Sequence, residues 1–261
     1  MTKIKMIVCD LDQTLLRSDK SVSDFTLDIL NKCRAAGIKF AVATARSHFG
    51  AKVLTNFIAP DALIYNGGAG VLIGEEMIYN HEMDLELTRH LTKSILENGY
   101  SFSAEGDSGY YYNYDLTRIN NPYPQSLIEG GQRVVFVEDE NGIDAAVQKI
   151  TAALDLDFVR GLIADFGQLD IITFAGEPWV RIAIKEATKW NGVLAAAKHF
   201  GIETGNIAAF GDDFNDVEML EKCGVGVAMS NAIPEAKAVA NFVAASNDED
   251  GVARWLEENI L

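Results

Sequence analysis

Met6-Ile7-Val8-Cys9-Asp10-Leu11-Asp12-Gln13-Thr14 runs an apolar segment into two carboxylates one residue apart. The apolar part has the composition of a buried strand, and the carboxylates fall where that strand ends. Side chains alternate along a strand, so Asp10 and Asp12 are expected to leave the same face as the strand opens into a loop. Like charges held this close raise each other's pKa unless a cation or a proton intervenes. The pair points to a divalent metal, to acid–base chemistry, or to both. The plainer alternative is one Asp capping the next loop and the other solvated.

Outward from this strand the chain alternates between two periods. Residues 24–36 carry helical spacing in Phe25, Leu27, Ile29, Leu30 and Cys33, closed by Gly37. Residues 38–44 form a second apolar strand, 47–57 a helix, and 62–65 a third strand that stops at Asn66-Gly67-Gly68. Two short strands then flank Gly74-Glu75-Glu76 as a hairpin. From about residue 82 the texture changes. A helix over 85–98 leads into alternating strands at 100–104, 109–114, 133–138, 157–161, 169–174 and 180–185, with a further helix at 143–154. Period-2 alternation predicts an antiparallel sheet with one covered face.

After Lys185 the first rhythm returns. It predicts a helix over 192–200 ended by Gly201, a strand over 207–210 stopping at Gly211-Asp212-Asp213, and a helix over 216–222. A strand over 225–229, a helix over 234–240, a strand over 242–244 and a terminal helix over 249–259 complete the chain. Fully apolar strands alternating with helices indicate a parallel sheet covered on both faces. The expected architecture is a doubly wound, Rossmann-like α/β core of residues 1–81 and 186–261, interrupted by an α+β domain at 82–185. In such sheets ligands bind at the carboxyl ends of the strands, where strand order reverses.

The 261 residues are 48% apolar and 23% charged, as in an ordinary globular protein. No apolar stretch approaches the roughly 20 residues a bilayer crossing needs, and the start runs into a strand without a signal-peptide pattern. Cys9, Cys33 and Cys223 are far apart and odd in number, which predicts reduced thiols and a cytoplasmic address. A formal charge of −16 excludes a basic nucleic-acid footprint and disfavours anionic membranes. An anionic substrate then needs a locally positive site, built from a metal, a few Lys or Arg side chains and a helix N-terminus.

The expected strand ends are chemically loaded: Asp10-Leu11-Asp12-Gln13-Thr14, Thr44-Ala45-Arg46, Asn66-Gly67-Gly68 and Gly211-Asp212-Asp213-Phe214-Asn215-Asp216. Together they supply a carboxylate nucleophile, acids for a hard cation and donors for phosphate oxygens. Each also has a plainer reading. Thr44 alone could be a helix N-cap, and Asp212, Asp213 and Asp216 could be acids favoured at a helix start. That second reading leaves Gly211 and the acids of the first strand unexplained. Lys189, just ahead of the 192–200 helix, is a cation where the helix dipole disfavours one.

Asp10-Leu11-Asp12-Gln13-Thr14, then Thr44, Lys189 and Gly211 through Asp216, in that order, resemble the motifs of the haloacid dehalogenase (HAD) phosphatase superfamily. The interruption between the second and third motifs, Asn66-Gly67-Gly68 and Asp250-Gly251-Val252-Ala253 resemble its Cof-like branch, which carries an α/β cap. The resemblance implies a Mg²⁺-dependent phosphatase of small phosphorylated metabolites, sugar phosphates first, that works through an aspartyl-phosphate. It implies Asp10 as nucleophile and Asp12 as acid and base. Thr44, Ala45, Lys189 and Asn215 would hold the phosphoryl oxygens. The Asp10 side chain, the Asp12 carbonyl and Asp212 would hold the metal. Asp216, Asn66, Gly67 and Arg46 are expected in support. A monomer or weak homo-oligomer is expected, with no nucleic-acid or membrane partner. The alternatives are a phosphomutase of the same superfamily and, from another class, a non-catalytic phospho-receiver.

Two positions depart from the family pattern, which usually has a glycine between the second Asp and the Thr of the first motif and another after the lysine; here they are Gln13 and Trp190. Glycine is permissive at a tight turn, so Gln13 bears on the loop geometry. Trp190 reads as a packing plug or as a wall for the leaving group. His48, His81, His90 and His199 lack metal-ligand spacing and read as surface or packing residues, and Tyr110, Tyr111, Tyr112 and Tyr114 as strand residues.

Overall fold

The structure, a computed structural model, describes residues 3–116, 123–173 and 178–261. The chain begins β1 (Met6–Cys9), α1 (Asp24–Ala35), β2 (Lys39–Ala43), α2 (His48–Thr55), β3 (Ala62–Tyr65), β4 (Gly70–Ile73) and β5 (Glu76–Asn80). It continues α3 (Leu85–Glu97), β6 (Phe102–Gly106), β7 (Gly109–Tyr112), α4 (Tyr123–Glu129), β8 (Val134–Phe136), β9 (Lys149–Ala152), α5 (Leu156–Ile163), β10 (Leu169–Thr173) and β11 (Val180–Ile184). The last stretch is α6 (Lys189–Phe200), β12 (Ile207–Gly211), α7 (Val217–Lys222), β13 (Val225–Met229), α8 (Pro234–Val239), β14 (Phe242–Ala244) and α9 (Gly251–Asn259). The elements fall into two compact units, one of residues up to Ala45, Thr55–Tyr79 and Thr188–Leu261, the other of Arg46–Leu54 and Asn80–Ala187. The short segment Arg46–Leu54 groups with the second unit.

The first unit is built on one sheet in the order β14-β13-β12-β1-β2-β3-β4-β5. From β14 to β3 every pairing is parallel, and β4 turns back antiparallel on β3. Strand order reverses at β1, which lies between β12 and β2 with Cys9 opposite both Phe210 and Val42. β1 is wholly buried and reads Met-Ile-Val-Cys, as a central parallel strand requires. Its flanking helices start and stop on local signals. Ser23 Oγ accepts the Thr26 amide at the head of α1, Thr188 Oγ1 accepts that of Asn191 at the head of α6, and Gly201 ends α6 in the left-handed region.

The second unit holds a six-stranded sheet in the order β10-β11-β9-β6-β7-β8. Its core gathers Leu91 and Ile95 of α3 with Phe102, Tyr111, Ile150, Val159 and Ile182. An ion pair between Lys149 and Glu105 at 2.8 Å is buried elsewhere in the same unit.

Three expectations for this unit are corrected. Residues 157–161 lie in α5, not a strand: Asp155 Oδ1 accepts the Asp157 and Phe158 amides and caps a helix that buries Val159. The helix expected over 143–154 is absent; Lys149–Ala152 is β9, a central strand paired with β6 on one side and β11 on the other. The sheet is not purely antiparallel, because β7 and β8 pair in parallel. α4 was not foreseen. Phe174, the expected end of β10, lies outside the described residues.

Candidate active site

Where β1 ends, the backbone makes one more ladder bond, Asp10 N–H to the Phe210 carbonyl at 3.0 Å, and then leaves the sheet. The loop closes on itself through the Leu15 amide to the Asp10 carbonyl and the Leu16 amide to the Leu11 carbonyl. At its centre Gln13 takes a left-handed φ of 62°. The Asp10 side chain is directed into the protein, and the residue is 6% exposed.

β12 delivers the second set of acids. Gly211 ends it because no side chain fits: a Cβ there would lie 2.4 Å from that of Asp216. Asp216 is buried, and its Oδ2 accepts the backbone amides of Asp212 and Asp213 at 2.9 and 3.1 Å. Asp213 caps the short turn that follows, accepting the Phe214 amide. The helix-start reading is therefore correct for Asp213; Asp212 instead turns toward the β1 loop, where its Oδ1 accepts the Thr14 hydroxyl at 2.6 Å.

Lys189 ties the two loops together. It is the first residue of α6, three positions before the expected start. Its ammonium donates to Asp10 Oδ1 and to Asp216 Oδ1, both at 2.6 Å, and it is 4% exposed. The dipole cost of a cation at a helix N-terminus is offset by these two carboxylates. Gly68, at φ 98°, lets the turn after β3 press on this point: a Cβ there would sit 1.9 Å from the Thr188 carbonyl oxygen.

In this cluster the buried carboxylates of Asp10 and Asp216 and the half-buried one of Asp212 face one ammonium. Burial pushes Asp10 well above the usual carboxylate range; Lys189 pulls it down, while Asp216, Asp212 and Asp12 push it further up. Burial likewise raises Asp212 to about 7, with Asp216 adding to the rise and the Thr14 hydroxyl opposing it. Burial alone would lower Lys189, but Asp10 and Asp216 outweigh it and hold the ammonium above its ordinary value. A site this short of positive charge binds a proton or a cation. Oxygens of Asp10, Asp212 and Asp216 lie within 4.8 Å of one another. Among the described residues, hydrogen bonds engage only Oδ1 of Asp10 and of Asp212, so each keeps Oδ2 for a further partner. Anionic, oxygen-only and largely buried, this donor set fits a hard divalent cation.

The other expected residues are placed less centrally. Asp12 does not share the burial of Asp10: strand alternation stops at Cys9, and the loop brings its Oδ1 to 2.7 Å from Lys20 Nζ. Thr44 is buried just past β2, its amide bonded to the Ile64 carbonyl and its carbonyl to the Gly67 amide. It is not a helix cap; Ser47 Oγ accepts the Gly50 amide instead. Ala45 ends the first unit's segment, and Asn66 and Gly67 sit buried in the turn after β3, both at positive φ. Asn215 lies half-buried in the turn Phe214–Asp216. Arg46 belongs to the second unit, where its charge acts on Lys149. Trp190 is half-buried with the Lys222 ammonium 5.7 Å from its ring centre, which favours packing between α6 and α7. Thr14 was not foreseen as a partner of Asp212; its place two residues past Asp12 was the available signal.

A parallel α/β sheet that gathers Asp10, Lys189, Asp212 and Asp216 where its strand order reverses is the frame of the haloacid dehalogenase-like hydrolases. The profile of that family matches residues 7–256, and the chain belongs to it. Bacillus subtilis YitU, named as 5-amino-6-(5-phospho-D-ribitylamino)uracil phosphatase, is 29% identical, with 98% of each chain covered. An Arabidopsis thaliana protein named chloroplastic endoribonuclease YBEY is 27% identical over 96% of this chain, which spans only 46% of that longer protein. The solved structure of the HAD subclass IIB sugar phosphatase BT4131 shares the fold, with a TM-score of 0.82 at 23% identity, covering 98% of this chain and 100% of the other. The chain is a phosphatase of the Cof-like branch. Among the described residues no helix is long and apolar enough to cross a membrane.

Proposed function

We propose that this phosphatase hydrolyses small phosphorylated metabolites, sugar or polyol phosphates first among them, with Mg²⁺ and through an aspartyl-phosphate on Asp10. The observation that carries the reading is the bridge of Lys189 between Asp10 and Asp216, with Asp212 in the same cluster. It holds one carboxylate oxygen of Asp10 and leaves the other to attack phosphorus. The substrate class draws on YitU, whose named substrate carries its phosphate on a ribityl chain.

In the first half-reaction an Asp10 oxygen bonds to phosphorus as the ester oxygen leaves, and Asp12 gives that oxygen a proton. In the second, Asp12 takes a proton from water, whose oxygen bonds to phosphorus as the Asp10 bond breaks, releasing inorganic phosphate. Thr44, the Ala45 amide, Lys189 and Asn215 hold the phosphoryl oxygens. Asp12 stands in a more solvated place than Asp10, as a group that exchanges protons with water requires. Asp10, the Asp12 carbonyl and Asp212 would hold the metal, which when bound would supply positive charge to offset the repulsion of phosphate by Asp10. Residues 82–185 act as the cap that selects the leaving group.

Hydrolysis of para-nitrophenyl phosphate tests this. Activity with Mg²⁺, its loss in EDTA and its loss in a folded Asp10→Asn variant are expected. Metal-independent turnover, or full activity in Asp10→Asn, would overturn the mechanism. Phosphate release without a bisphosphate activator excludes the mutase.

A further inference from the structure

Gln13 is a long side chain in a backbone conformation that L-residues other than Asn and Asp seldom adopt. It stands between Asp12 and Thr14, so its conformation aims both neighbours. Such a turn persists when its surroundings over-determine it, and two asparagines do so here. Asn231 Nδ2 donates to the Gln13 carbonyl at 2.8 Å. Its Oδ1 accepts the Asn247 amide at 3.2 Å. Asn247 Nδ2 returns to the same loop, donating to the Leu16 carbonyl at 3.0 Å. The chain of bonds therefore closes on the segment from Gln13 to Leu16. Asn247 is buried, and it sits in a turn closed by a capping box between Ser246 and Glu249. Asn231 sits in the turn after β13, two residues before Ile233, whose amide donates to the Asp212 carbonyl at 2.9 Å. One turn thus touches the loop of the first carboxylates through a side chain and the loop of Asp212 through its backbone.

We propose that Asn231, backed by Asn247, is a positioning residue for the reaction: its carboxamide holds Gln13 left-handed and so keeps Asp12 and Thr14 aimed. It substitutes for the conformational freedom that a glycine in place of Gln13 would bring. The proposal rests on the reading that Asp12 transfers the proton. Asn231 touches neither carboxylate and works only through the backbone.

The test is Asn231→Ala in two backgrounds, natural and Gln13→Gly, with para-nitrophenyl phosphate and Mg²⁺. Hydrogen exchange of the peptide covering residues 11–16 is followed by mass spectrometry in parallel. With Gln13 present, kcat falls about tenfold, KM stays within about twofold and exchange in the loop accelerates. In the Gln13→Gly background, the same substitution costs less than about twofold, because glycine enters the left-handed region unaided. Equal losses in the two backgrounds, unchanged exchange, or a loss confined to KM would each overturn the proposal. Faster exchange without a fall in kcat would do so too. Asp12→Asn, assayed alongside, separates the two levels: full activity there removes the proton-transfer role while the exchange result still reports on Asn231.

Discussion

Binding of Mg²⁺ to this site should trade against a proton, because the metal-free cluster holds more carboxylate than it can ionise. Asp212 has a pKa of about 7 in place of 3.8. At about 1.36 kcal/mol for each tenfold change in an ionisation constant, ionising it in the empty cluster costs about 4 kcal/mol more than in water. The sign follows from the direction. A carboxyl whose folded pKa is raised contributes stability that is complete below pH 3.8 and lost as the pH climbs through about 7. In EDTA the protein should therefore be less stable at pH 8 than at pH 5.5. The metal needs the ionised form, so its apparent affinity should fall at least about tenfold for each pH unit well below 7 and flatten as the pH rises past 8. Titration calorimetry in buffers of different ionisation enthalpy reads both quantities. At pH 6 each Mg²⁺ should release at least one proton, Asp10 being raised as well, and at pH 8.5 fewer. An affinity flat from pH 5.5 to 8.5, or no proton release at pH 6, would refute the charge accounting.

Lys189→Met strands two buried carboxylates. Activity should fall on the order of a hundredfold or more, and urea unfolding in EDTA should show a loss of about 3 kcal/mol at pH 8 that shrinks at pH 5.5 as the carboxyls take protons. Gly68→Ala places a Cβ on the Thr188 carbonyl at a φ of 98°; the head of α6 must move, and kcat should drop more than Tm does. In the second unit, Lys149→Met leaves Glu105 buried beside an apolar chain and should cost about 3 kcal/mol in denaturant unfolding. Glu105→Gln added to it should recover much of that loss, and no recovery would show that the pair does not act as a unit.

The first unit of the fold was legible because its signals are local. Each parallel strand is a short apolar run, and four of the six, β1, β2, β3 and β12, end at Asp10, Thr44, Asn66 or Gly211. Lys189 was legible as an anomaly, since a cation at a helix start needs a partner from elsewhere in the chain. What decided the second unit was not local. Phe158 and Val159 favour strands by propensity, yet the Asp155 cap and the spacing of Leu156, Val159 and Ile163 make a helix. Ala145 and Ala146 favour a helix, yet the segment after them is claimed by two neighbouring strands. The Asp12–Lys20 and Asn231–Gln13 contacts were illegible for a further reason: both are set by the path of a loop, which has no period to read.

The short segment Arg46–Leu54 has a consequence for anyone recombining these enzymes. It groups with Asn80–Ala187, although 25 residues of the first unit, Thr55–Tyr79, lie between them in the chain. Ser47 Oγ donates to Gln132 at 3.2 Å, His48 pairs with Asp107 at 3.0 Å, and a Cβ on Gly130 would strike the Phe49 carbonyl oxygen. Excising only the long insertion would leave these partners behind on the donor and expose their counterparts. A chimera that exchanges the second unit between two members must therefore be spliced at four junctions, not two, and the nine-residue piece must travel with the large one.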